Sequence, residues 1–233
     1  MKYQALFILV FSYARLSVAE KLDYTRCNDQ EVSCQASVTV DVGPPQNGRA
    51  SGVVISGNGL VLTNAHVIGD TRDVSVWISY RQKGKTIKMK AVIVDVDFAK
   101  DLALVWAPKK LPSVKVGSLK NISFGNLLKV ISTPKGMYNQ EETKAMFVDL
   151  GIFWSDFDTK LPKMRLIQIE KTITSGSSGG GIFDKNGKLV GLLQRSVAFF
   201  LNWYVYAIPA DTIREYLASV RMCTPAVNYC VSQ

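Results

Sequence analysis

At 233 residues, 47% hydrophobic and 20% charged, the chain can bury a sizeable core, which excludes an intrinsically disordered protein. The length suits one domain of about 200 to 250 residues or two fused small barrels. The formal charge of +9 admits nucleic acid or an anionic membrane surface as a partner, and describes a plain basic surface equally well.

The N-terminus reads as a secretory signal peptide over residues 1–19. Lys2 supplies the positive charge, Ala5 to Phe11 an apolar run too short to span a bilayer, and Ser17-Val18-Ala19 the small residues for cleavage before Glu20. Arg15 departs from that pattern. The mature chain is expected to be exported, to the bacterial periplasm or outside the cell, and to make no stable membrane insertion. The four cysteines agree: Cys27 and Cys34 lie in a segment spanning 20–47, Cys223 and Cys230 in the tail. An even count in an exported chain favours disulfides. Two local loops and two bridges joining the termini fit equally. The close cysteine pairs and histidines of a zinc site are missing, so no metal is expected.

Hydrophobic alternation of period two then recurs at 37–42, 52–56, 60–63, 74–80, 86–95, 102–107, 127–132, 144–151, 164–171, 180–184, 188–194 and 203–208, separated by Gly, Pro, Asn and Asp. This pattern predicts an all-β barrel or sandwich. One helix is expected late, over 212–220, with Ile213, Tyr216, Leu217 and Val220 on one face. Pro108 to Asn121 divides the chain into two β-rich halves. The apolar stretch 189–208 is interrupted by Gln194, Arg195, Ser196 and Asn202, and reads as two strands rather than a membrane helix. Arg81 to Lys90 reads as a basic hairpin whose lysines guard strand edges, so no nucleic-acid partner is expected.

Chemistry concentrates at three places. His66 is the single histidine of the chain, so any mechanism needing an imidazole base runs through it. It follows a hairpin signal, 52–56 and 60–63 around Gly57-Asn58-Gly59, at the end of a strand where a scaffold can hold a functional side chain. Ser178 lies in Thr174-Ser175-Gly176-Ser177-Ser178-Gly179-Gly180, too short for a linker and entering a strand at once. Glycines there permit unusual backbone angles, and backbone N–H groups of such a turn can face a developing oxyanion. The stretch also satisfies Gly-x-Ser-x-Gly. That elbow requires a histidine after the serine, and none follows Ser178. The order His66, an aspartate, Ser178 is the trypsin-type order. Asp101 is the best aspartate because it directly precedes the apolar strand Leu102-Ala103-Leu104-Val105. Asp95 and Asp97 are alternatives that fit a surface or a turn.

With these stretches in place, the chain resembles the trypsin-like serine peptidases, and within them the HtrA/Deg-type branch. Thr63-Asn64-Ala65-His66-Val67, Asp101-Leu102-Ala103-Leu104-Val105 and Gly176-Ser177-Ser178-Gly179-Gly180 are similar to that branch's three motifs. Ser132-Thr133-Pro134-Lys135-Gly136 resembles its Gly-Asn-Pro-x-Gly turn, and Tyr206-Ala207-Ile208-Pro209-Ala210 its Phe-Ala-Ile-Pro-Ser ending. The resemblance implies two six-stranded antiparallel β-barrels, at 48–110 and 122–209, joined by a linker at 111–121 and followed by a helix and cysteine-bearing tail at 210–233. It implies a serine endopeptidase acting on polypeptides through Ser178, His66 and Asp101, with an oxyanion hole from the Gly176 and Ser178 amides. No cofactor is required, and a homo-oligomer is admitted. It places the specificity pocket near Thr172, Leu193, Gln194, Arg195 and Ser196. Small or medium apolar side chains are the expected preference, with Arg195 as an alternative selector of acidic ones. Two departures stand out: Ser177 where the branch has Asn, and Gly181 where it has Pro or Ala. No PDZ domain is expected after the helix. The departures leave a catalytically silent binding protein on the same fold as the alternative.

Overall fold

The computed structural model describes residues 24–70, 74–137, 140–153, 164–170, 173–199 and 202–220. In chain order its elements are β1 (Thr25–Arg26), α1 (Val32–Gln35), β2 (Ser37–Val42), β3 (Gly48–Ser56), β4 (Leu60–Thr63), α2 (Ala65–Ile68), β5 (Val76–Gln82), β6 (Lys85–Asp97), β7 (Leu102–Trp106) and β8 (Leu127–Ser132). A 3-10 turn (Pro134–Gly136), β9 (Glu141–Phe153), β10 (Met164–Glu170), β11 (Gly181–Phe183), β12 (Leu189–Phe199), β13 (Asn202–Pro209) and α3 (Ala210–Ser219) complete it. The expected signal peptide, Thr172, Cys223 and Cys230 lie outside the described residues.

Two closed antiparallel barrels of six strands account for nearly all of these elements. The first runs β2-β3-β4-β7-β6-β5. The second runs β9-β10-β13-β12-β11-β8 and closes where β8 pairs with β9, with β1 added to β9. Closure leaves no barrel strand with an open edge. The first barrel takes its leading strand from ahead of residue 48. All six positions of β2 are buried between β3 and β5, so this run is a barrel strand within the stretch read as an N-terminal segment.

The turns follow the residues that demand them. Gly57-Asn58-Gly59 joins β3 to β4, with the Gly59 amide donating to Ser56 O at 3.0 Å. Lys83 and Gly84 both have positive φ, 50° and 76°, which matches the two-residue turn favoured by twisted hairpins. The basic stretch is therefore the β5–β6 hairpin. Arg81 there meets Asp29 at 3.4 Å and Lys88 meets Asp41 at 3.0 Å.

The core of the first barrel is aliphatic, with Val53, Val61, Leu62, Leu104 and Val105 fully buried. Leu104 pairs with Leu62 of β4 and Asp95 of β6, so its side chain has no route to solvent. Leu104→Ala is expected to lower the unfolding free energy by about 2–5 kcal/mol, because a void replaces the larger side chain. Urea denaturation with an unchanged slope measures it.

Ahead of the barrels, Cys27 and Cys34 are buried with their sulfurs paired and their Cα atoms 5.8 Å apart. Among the described residues no helix is long and apolar enough to cross a membrane.

Candidate active site

His66 stands on α2, a single helical turn at the exit of β4. Asn64 occupies the N-cap position, yet its side-chain amide donates to the Asp101 carbonyl at 3.1 Å instead of capping the helix. That bond ties the histidine turn to the start of β7, directly beside β4 in the sheet. Asp101 has φ 53°, a left-handed conformation that Asp and Asn tolerate better than most residues. The bend aims its carboxylate at α2.

The carboxylate is 1% exposed. Oδ1 accepts the His66 backbone N–H at 3.0 Å, and the His66 ring Nδ1 lies 3.0 Å from Oδ1 and 2.9 Å from Oδ2. An ionised carboxylate only accepts, so this geometry places the ring proton on Nδ1 and leaves a lone pair on Nε2. The His66 side chain is 40% exposed, so the ring is held on one side and open on the other. A buried acid with such a ring can orient and charge-stabilise a general base.

Ser178 follows a turn closed by the Ser177 amide donating to Thr174 O at 3.2 Å. Gly176, with φ 88°, is the third residue of that turn. No side chain fits there: a Cβ would lie 2.4 Å from Gly136 N and 2.7 Å from Thr133 O. The Lys135 amide donates to the Ser175 carbonyl at 2.6 Å. In a trans peptide the carbonyl and the next N–H point in opposite directions, so this bond turns the Gly176 N–H away from the 134–136 turn. Among the described residues, neither the Gly176 nor the Ser178 amide donates to a protein acceptor. Two unpaired amides flanking one serine can receive a developing negative charge. The Ser178 hydroxyl itself donates to Gln194 O at 3.2 Å rather than to His66.

Both departures from the family pattern have local causes. A Cβ on Gly181 would stand 2.4 Å from Phe183 Cζ and 3.0 Å from Val53 Cγ2, because the Phe183 ring fills that space. Ser177 is fully buried and receives a hydrogen bond from Ser132 Oγ at 3.2 Å.

The expected pocket residues are divided. Leu193 is fully buried in the core of the second barrel, and its carbonyl accepts the Gly179 amide at 2.9 Å, so its side chain is not a pocket wall. Gln194 is buried and donates to Met164 Sδ at 3.4 Å. Arg195 and Ser196 are half-buried, and Arg195 Nε and Nη1 have no hydrogen-bond partner among the described residues.

The site also uses a residue that its sequence context does not disclose. Ser51 of β3 donates its N–H to Ser178 O at 2.8 Å and its hydroxyl to Gly176 O at 2.8 Å, and its Oγ accepts the Thr133 amide at 2.8 Å. One first-barrel serine thus holds two second-barrel turns. Nothing in its sequence context marks it, since β3 also carries Arg49 and Ser56.

The family model of the trypsin-like peptidase domain matches residues 50–192. The chain is 32% identical over 176 residues to "Serine protease HTRA1B" of Danio rerio, covering 72% of this chain and 34% of that protein. It is 34% identical over 166 residues to a "Probable periplasmic serine endoprotease DegP-like" of Pseudomonas putida, covering 69% and 32%. It therefore spans about a third of the length of these curated relatives. Among solved structures, the fold is shared with the HtrA-type protease AlgW with tripeptide, at TM-score 0.68 and 24% identity over 80% of this chain and 60% of that one. It is also shared with the active form of the Rv3671c protease from M. tuberculosis, at TM-score 0.69 and 23% identity, covering 86% and 87%. Matched over more than half its length and folded as two closed six-stranded barrels, this chain belongs to the trypsin-like peptidase domain family.

Proposed function

We propose that the chain is an exported serine endopeptidase of the HtrA type that cleaves polypeptides through an acyl-enzyme. Ser178 Oγ attacks the scissile carbonyl. His66 Nε2 takes its proton and returns it to the leaving amine. Asp101 fixes the tautomer and stabilises the imidazolium, and the Gly176 and Ser178 amides receive the oxyanion. The observation that carries this reading is the buried Asp101 carboxylate holding both the backbone and the ring Nδ1 of the chain's single histidine. Export fits the paired Cys27 and Cys34, which we take as a disulfide.

One observation favours the alternative, a catalytically silent binding protein: the Ser178 hydroxyl rests on Gln194 O. Rotation about χ1 between staggered wells would release it from that carbonyl.

Gly176→Ala keeps its backbone N–H but cannot hold φ 88° with a Cβ 2.4 Å from Gly136 N, so the turn must shift and misplace that oxyanion donor. The expected result is a fall in kcat of about 10²–10³-fold together with a lowered melting temperature. Steady-state kinetics on a fluorogenic peptide and a thermal melt check both parts. The reading as a whole is tested by a peptide-library profile on the mature protein with casein as a second substrate. Cleavage after small or medium apolar residues is expected. Preference for acidic residues would instead assign the pocket to Arg195, and a folded protein that cleaves nothing would support the silent alternative.

A further inference from the structure

The N-terminal segment reaches the nucleophile turn from outside both barrels. β1 lies along β9, with Thr25 opposite Glu142 and Arg26 opposite Glu141. The Cys27 amide donates to Gln140 O at 3.2 Å, and Glu31 forms an ion pair with Lys129 of β8. These contacts carry Tyr24, the residue before β1, to residues 174–177. Its hydroxyl hydrogen-bonds with the Ser177 side chain and with the Thr174 backbone. Those two residues are the ends of the turn that presents Gly176 and leads into Ser178.

Ser177 explains why such a contact is needed. The family pattern has Asn at this position, and serine is shorter. Its buried hydroxyl has only the Ser132 and Tyr24 hydroxyls as side-chain partners among the described residues. Burial pushes the Tyr24 hydroxyl above its usual range, so it remains a neutral hydrogen-bonding group at working pH.

We propose that Tyr24 is a positioning residue for the nucleophile: by gripping Thr174 and Ser177 it fixes the turn that aims the Gly176 and Ser178 amides. This inference rests on the endopeptidase reading. The segment before the first barrel would then be part of the working site rather than a passive leader to it.

The test uses the mature chain with Tyr24→Phe, Ser177→Ala and the double variant. Each single variant should lower kcat about five- to tenfold with KM unchanged, the effect of one hydrogen bond on the barrier. Labelling of Ser178 by a fluorophosphonate should slow by the same factor, with rates corrected for the folded fraction from a thermal melt. A residue that only stabilises the fold would change that fraction and not the corrected rate. Tyr24→Phe should cost less in the Ser177→Ala background than in wild type, because there only its bond to the Thr174 backbone is left to lose. If Tyr24→Phe fails to fold, Ser177→Ala must show the loss and Ser132→Ala, which removes the other side-chain partner of Ser177, must not. The inference is overturned if wild type and the single variants label at equal rates, or if Tyr24→Phe costs the same factor with and without Ser177. A folded wild type that is never labelled removes the endopeptidase reading and this inference with it.

Discussion

Ser178→Ala is expected to reduce kcat for casein hydrolysis about 10⁶-fold, to the residual rate that binding and the oxyanion amides supply. The change removes the nucleophile and little else. Ser178 is half-buried, and the backbone bond from Ser51 N–H to Ser178 O at 2.8 Å is untouched. Alanine cannot make the hydroxyl donation to Gln194 O at 3.2 Å, a net effect of about 1 kcal/mol. The melting temperature should therefore move by only a few degrees while activity disappears. Casein cleavage at the wild-type rate by purified Ser178→Ala protein would assign the activity elsewhere.

Asp101→Asn is expected to cost about 10⁴-fold in kcat with substrate affinity nearly unchanged. Asparagine is the informative replacement because it accepts φ 53° and keeps the side-chain shape. It also retains one oxygen for the His66 backbone N–H, now accepted at 3.0 Å. What it cannot do is present a second acceptor to the ring. An amide donor in that place favours the tautomer with the proton on Nε2, which leaves no lone pair to take the Ser178 proton. The loss should appear in kcat at all pH values where wild type is active. A tenfold effect or less would mean that the carboxylate merely packs the histidine turn.

Much of this arrangement is legible in the sequence because its signals are local. Single-period runs such as 37–42, 60–63 and 127–132 match β2, β4 and β8 to the residue. The pairing of His66 with Asp101 is legible for a different reason: one histidine, a strand end and an acid before an apolar strand leave few arrangements open. Long strands are less readable. β9 starts at Glu141, three polar residues ahead of the alternation, and β12 runs on to Phe199 past the polar break at Gln194, Arg195 and Ser196.

Leu193 is buried rather than in the pocket because alternation breaks there. The register between β12 and β13 shifts between Leu193 and Arg195, so neighbouring side chains do not keep the faces that a regular strand would assign them. The contacts that Ser51, Thr133, Lys135 and Tyr24 make are not legible in the sequence for a third reason. Their roles arise where a first-barrel strand, a 3-10 turn and an N-terminal segment meet one turn of the second barrel. Nothing in a single stretch of sequence announces that meeting. The glycine at 176 reads as permissive, but the atoms that forbid a side chain there, Gly136 N and Thr133 O, come from a distant segment.

Everything proposed for this site depends on Ser178 being a nucleophile activated by His66. Fluorophosphonate labelling of the mature protein, followed by mass mapping of the modified peptide, puts that dependence to the test. One adduct is expected, on Ser178, which His66→Ala abolishes. A folded protein that forms no adduct, or forms it equally well without His66, would contradict the proposal.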